Sequence, residues 1–244
     1  MHGKKVFVGW DSREIPAFKV CVASMQRHAS IQLNIHPLDQ AVLRRAGLYD
    51  RKYTVQDNGQ WIDNIDGTPF STEFSFTRFL VPEIMRREDR GGWTMFVDCD
   101  FVYTQDIQQL FDLVDDRYAV MVVKHSYQPF EDTKMDGIIQ SQYPRKNWSS
   151  MILWNMDHPA NERITAADVN LRPGSYLHQF KWLKDGEIGE LPIMWNWLEG
   201  YYAPPKDVPA AIHYTRGGPW FREWQDVDYA KLWNDEYKLV QDRD

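Results

Sequence analysis

The chain has 244 residues and a formal net charge of −7, long enough to bury a substantial core and too acidic for the clustered Lys and Arg of a nucleic-acid-binding face. Its 2 cysteines, Cys21 and Cys99, are too few for a disulfide framework and match no zinc spacing, so free thiols in a reducing compartment are expected. No apolar stretch approaches about 18 residues, and the opening "MHGKKVFVGW" is too briefly apolar for a signal core; a soluble, cytoplasmic protein without a transmembrane segment is expected.

In chain order, "KKVFVGWD" reads as a buried strand ending at Asp11, "IPAFKVCVASMQRHA" as a helix and "IQLNIHPL" as a second strand. This β-α-β opening is the signature of a parallel sheet. Residues 50–70, with "QDNGQ" and "NIDGTP", carry turn chemistry and read as a loop region. "STEFSFTRFLVPEIMRRE" begins with a cap-like cluster and places Phe76, Phe79, Leu80 and Ile84 on one face, which predicts a helix despite Pro82. "WTMFVDCD" and "YAVMVVKH" read as strands, followed by a polar loop at 125–147. Then come a strand at "SSMILWN", a helix around "GSYLHQFKWLKDG", a strand at "AAIHYT" and an amphipathic tail helix at "DVDYAKLWNDEYKLV". No repeat or interdomain linker interrupts them, which predicts one domain over 1–244.

The stretch "MFVDCDFVYT" carries the first chemistry. Neighbouring side chains alternate in extended backbone, so Asp98 and Asp100 share a direction and Cys99 takes the other. Two such carboxylates need a compensating charge, and oxygen ligands suit a hard divalent cation. Other apolar runs also end in polar residues: Asp11, the pair Lys124 and His125, and His213. Open parallel sheets bind ligands in the crevice outside such carboxyl ends. Aromatic residues make up 14% of the chain, including 11 Trp. Most are expected in the core, and the remainder would suit a sugar, whose C–H face packs on a flat ring.

With these pieces in order, the sequence resembles the nucleotide-sugar-dependent glycosyltransferases of the GT-A fold, in particular the family 8-like group. The resemblance runs from about residue 4 to residue 221 in short motifs. It implies an α/β fold with a single Rossmann-like domain, its central, mostly parallel sheet flanked by helices. It divides the chain into a nucleotide-binding part at about 1–125, an acceptor-side part at about 126–225 and a C-terminal helix at about 226–241. Within the family's pattern, Asp11 of "VGWD" corresponds to the nucleobase contact and Arg78 of "SFTRFLVPE" to a donor contact. Asp98 and Asp100 of "FVDCDFV" correspond to ligands of Mn2+ or Mg2+ that also meet the donor diphosphate. Ser149 and Ser150 of "NWSSMILWN" lie where the donor sugar binds, and Gln179 of "LHQFKWL" lies beside the reacting carbon. "LPIMWNW" matches a Leu-Pro and Trp-Asn pattern, and His213 of "HYTRGGPW" is implied as the third metal ligand.

Three departures stand out. His178 occupies the place of a donor-binding aspartate, "NWSS" lacks the usual Gly or Ala, and the terminal motif is one residue shorter, with Gly218 where the family has lysine. A diphosphate clamp must then be built differently. Arg216 is the nearest candidate cation, with Gly217 and Gly218 letting the backbone approach phosphates. Lys124, His125 and Trp220 are acceptor-side candidates. The expected partners are a nucleoside-diphosphate-sugar, UDP before GDP, and a glycan or other hydroxyl acceptor, with retention of anomeric configuration. Two other readings stay open. "MFVDCDFVYT" also looks like the signature of haloacid-dehalogenase-type phosphatases, with Asp98 as nucleophile and Asp100 as general acid/base. A non-catalytic carbohydrate-binding protein would also use the aromatic residues.

Overall fold

The computed structural model describes residues 3–126 and 145–242, so most of the polar segment expected at 125–147 lies outside the described residues. β1 (Lys4–Gly9) and β2 (Leu33–Leu38) pair in parallel along their whole length, and α1 (Ile15–His28) connects them. Pro16 sits in the first turn of α1, where a missing N–H costs nothing, and Arg27 and His28 end it at the negative pole of its dipole. α2 (Gln40–Arg45) is capped by Asp39, whose carboxylate accepts from the N–H groups of Ala41 and Val42.

Residues 50–70 are not a loop. They form a three-stranded antiparallel meander of β3 (Tyr53–Val55), β4 (Trp61–Asp63) and β5 (Pro69–Phe70). The turn signals mark its two connections, where Gly59 and Gly67 take φ of 83° and 72°. Strands of two or three residues are too short to show alternation in sequence. The helix expected over 71–88 is also shorter. A 3-10 turn covers Thr77–Leu80, and α3 is Val81–Arg87. Pro82, lacking an N–H, starts a helix more readily than it continues one.

β6 (Trp93–Val97) lies parallel to β1, with Val6 opposite Met95. β7 (Phe101–Tyr103) and α4 (Ile107–Phe111) follow. β9 (Met151–Asn155) runs antiparallel to β6 and to β8 (Val120–Val122), so β6 and β8 point the same way. After α5 (Ala166–Leu171) comes α6 (Gly174–His178), which stops well short of the expected 186 because Phe180 turns left-handed at φ 52°. β10 (Ile188–Glu190) then joins β8 in parallel.

The resulting six-stranded sheet has the order β10-β8-β9-β6-β1-β2, mostly parallel with β9 as the exception. β1, β6 and β9 are buried throughout their centres, which is why they read as continuous apolar runs. Their shared direction brings the residues after β1, β6 and β8 to one edge: Asp11, Asp98, and Lys124 with His125. A second sheet of β11 (Trp197–Leu198), β12 (Ala211–His213) and β7 sets His213 opposite Phe101. α7 (Ala230–Gln241) closes the chain, starting later than the expected 226.

Candidate functional site

Asp98 follows β6 and Asp100 precedes β7, while Cys99 between them is fully buried in the core. The backbone fixes both aspartates: Asp98 N–H donates to Ser150 O at 2.8 Å, and Asp100 O accepts from Tyr214 N–H at 2.9 Å. The second bond ties the Asp-x-Asp turn to the end of β12. One ligand atom from each of Asp98, Asp100 and His213 lies within 4.8 Å of the others, and His213 Nε2 is 3.3 Å from Asp100 Oδ2.

The donor set fits a divalent cation, and the hydrogen-bond network around it orients the imidazole. Ser150 Oγ donates to Asn147 O at 2.7 Å, so it accepts from Asn196 Nδ2 at 2.8 Å. That leaves Asn196 Oδ1 to accept from His213 Nδ1 at 2.9 Å, so the hydrogen is on Nδ1 and the lone pair on Nε2 faces the carboxylates. Phe101 stacks on the same ring, with centroids 4.4 Å apart. Asp98 is further held by Arg78, whose Nη1 is 2.9 Å from Oδ1 and also donates to Ser149 O at 2.8 Å.

A cavity of about 260 Å³ opens beside this cluster. Of the residues expected at a donor site, Arg78, Asp98, Asp100, Ser149, Ser150, His178 and Gly217 line it. His178 Nδ1 pairs with Ser149 Oγ at 2.9 Å, and its ring meets Phe79 edge-on at 5.2 Å. Phe70 and Phe76 add apolar surface to the wall. Gly217 takes φ 127°, and its N–H is already given to Tyr214 O at 2.9 Å.

Other expected residues stand elsewhere. The buried Asp11 carboxylate accepts from Arg13 N, Nε and Nη2 and from Glu73 N, at 2.6 to 3.1 Å. Gln179 caps α6 and offers its carbonyl to Arg145, while its neighbour His178 is on the wall. Arg216 pairs with the buried Glu199 at 3.1 Å, and Trp220 packs on Trp233 at 5.5 Å. Gly218 lies under the Trp220 ring. Lys124 sits over Trp148 at 5.8 Å, and His125 Nδ1 pairs with Tyr202 Oη at 3.0 Å. Three residues given no role by the sequence also belong here. Asn196 orients His213, while Glu14 and Lys146 are buried on the cavity wall. Asn196 was legible only as part of the Trp-Asn pattern, and Lys146 only as a cation just before "NWSS".

Among solved structures, the fold is shared with glycosyltransferases. Apo GlyE of Streptococcus pneumoniae TIGR4 aligns with a TM-score of 0.61 and 17% identity over 99% of this chain. The galactosyltransferase LgtC, bound to donor and acceptor sugar analogs, aligns with 0.59 and 14% identity over 96% of this chain and 95% of that one. The chain spans 63% of the length of GlyE, and 51% of the bifunctional glycosyltransferase WbbM, which aligns with a TM-score of 0.59, 16% identity and 98% of this chain covered. The fold is thus that of GT-A glycosyltransferases. No family model matches the chain. By sequence it belongs to the family of Protein CDI of Arabidopsis thaliana, with 48% identity over 236 residues, 95% of this chain and 85% of that protein.

Proposed function

We propose that the chain is a divalent-metal-dependent glycosyltransferase that moves a sugar from a nucleoside-diphosphate-sugar to a hydroxyl of a glycan or other acceptor. The observation that carries this reading is the set of Asp98, Asp100 and His213, with Nε2 of His213 directed at the carboxylates beside a cavity in a GT-A fold. The likeness to a galactosyltransferase bound to donor and acceptor sugar analogs supports it. Mn2+ or Mg2+ held there would neutralise charge on a departing diphosphate. Around the set, Arg78 fixes Asp98, the His178 and Ser149 pair offers polar atoms to sugar hydroxyls, and Phe70 and Phe76 offer flat apolar faces. Following the family resemblance, UDP is proposed over GDP and retention over inversion.

A phosphatase would need Asp98 as a free nucleophile, and here its Oδ1 is in a close ion pair with Arg78. A non-catalytic carbohydrate-binding protein that relies on aromatic faces would bind glycans without nucleotide or metal. Thermal unfolding tests the proposal. UDP or GDP is expected to raise the midpoint only with Mn2+ present, and Asp100→Ala is expected to remove the shift. A nucleotide shift that persists in chelator, or hydrolysis of a simple aryl phosphate without nucleotide-sugar, would contradict it.

A further inference from the structure

We infer that Lys146 is the cation that meets the phosphate oxygens of the departing nucleoside diphosphate, an assignment that rests on the glycosyltransferase reading above. In the transfer, the bond between the sugar's anomeric carbon and the diphosphate oxygen breaks, and its electron pair stays on that oxygen. The acceptor oxygen bonds the anomeric carbon, and its proton passes to the phosphate. Charge therefore builds on phosphate oxygens at the reacting end of the cavity, and preorganised positive groups there lower the barrier.

Among the described residues on the cavity wall, the lysine and arginine side chains are Arg78 and Lys146. Arg78 pairs with Asp98 and donates to Ser149 O and, at 3.3 Å, to Phe74 O. Arg216 is held by Glu199 and is not on the wall, and Gly218 carries no charge. Lys146 is 8% exposed, an unusual burial for a lysine, on a wall that it shares with Asp98, Asp100, Thr215 and Gly217.

The backbone shows that this placement is built. Arg145 and Asn147, on either side of Lys146, take left-handed φ of 63° and 61°, a conformation costly for arginine and tolerated by asparagine. Such conformations persist where the surroundings over-determine them. Here Arg145 is anchored to Gln179 O and Asp185, and its ring neighbour Trp148 gives N–H back to Arg145 O at 3.2 Å. Asn147 O accepts from Ser150 Oγ, which continues to Asn196 and His213. Lys146 and the metal set therefore share one hydrogen-bonded frame, so both would meet the same diphosphate in fixed register. A compact ammonium with three donors suits phosphate oxygens.

Calorimetric titration with UDP, UMP, GDP and GMP in Mn2+ tests the assignment. For the base that the wild type prefers, Lys146→Met is expected to weaken diphosphate binding about tenfold or more, a single charge-assisted contact, and to leave the monophosphate nearly unchanged. Lys146→Arg is expected to restore part of the difference, and Mn2+ affinity without nucleotide should stay at the wild-type value in both. If Lys146→Met fails to fold, Lys146→Gln carries the same comparison. A wild-type ratio of diphosphate to monophosphate affinity in the folded variant overturns the role of Lys146 and leaves the glycosyltransferase reading standing. A wild type that binds none of the four nucleotides removes both.

Discussion

A histidine presents one ring nitrogen to a metal only if the other keeps the hydrogen, and at His213 that choice is made by Asn196. Removing the amide in Asn196→Ala frees the ring to turn and leaves Ser150 Oγ without its donor. Mn2+ affinity is expected to fall about 10- to 100-fold, as for other outer-shell partners of metal ligands. Titration with Mn2+ on a variant of native circular dichroism reads this, and unchanged affinity would reduce Asn196 to packing. His125 belongs to the same neighbourhood. Burial pushes its imidazole down to about 3, so it is neutral at pH 7 and brings no extra positive charge to the cluster. Asp98 and Asp100 were legible as a pair from the Asp-x-Asp spacing, but they lie in the bend between β6 and β7, outside extended backbone, so strand alternation is not what brings them together. The pairings of Asp11 with Arg13 and of Arg216 with Glu199 were not legible, since a charged residue's partner is chosen by the fold and no spacing rule marks it.

At the scale of elements, the meander that was expected as a loop holds the cavity wall in place. Arg51, just before β3, makes a two-pronged ion pair with Asp63 of β4 at 2.9 and 2.5 Å, with both side chains 1% exposed. Its remaining prong donates to Val169 O and Arg172 O at 2.8 Å, on and just after α5, and the guanidinium lies 4.0 Å from the ring of Phe76. Asp66 in the β4–β5 turn accepts from Gly174 N–H at 2.7 Å, at the start of the helix that carries His178. Meander, α5 and α6 are thus one unit. Asp63→Ala would strand a buried guanidinium and is expected to cost about 3–5 kcal/mol, whereas Arg51→Met with Asp63→Leu together should recover only part of it, because the carbonyls of Val169 and Arg172 lose their donor. Denaturant midpoints of the single and double variants decide the matter, and a loss below about 1 kcal/mol, the scale of an exposed pair, would show that solvent reaches it. The pattern of apolar residues could not reveal this unit, because its strands are short and its anchor is an ion pair.

For the whole molecule, the strand-end coincidences were legible because parallel strands deliver their carboxyl ends to one edge whatever lies between them. His213 arrives by another route, through the small sheet in which β12 runs antiparallel to β7, and that sheet has its own support. A second apolar cluster joins Val20 of α1, Val102 of β7, Ile212 of β12, Tyr214 and Trp233 of α7. The hydroxyl of Tyr214 donates to Tyr229 O at 3.0 Å, and Arg27 of α1 pairs with the buried Glu236 of α7. The amphipathic tail announced that α7 would pack, but the surface it covers is made of single residues from three distant elements. β7 follows Asp100 directly and β12 carries His213, so the cluster underlies two of the three proposed ligands. Trp233→Ala is expected to cost about 3–5 kcal/mol as a large-to-small core change and also to weaken Mn2+ binding under native conditions. Leu43→Ala in α2 is the control, since it opens the main core at about 2–5 kcal/mol without touching either strand. If both variants lose stability and only Trp233→Ala loses metal affinity, α7 positions the ligands; equal affinity in the two would confine α7 to stabilising the fold.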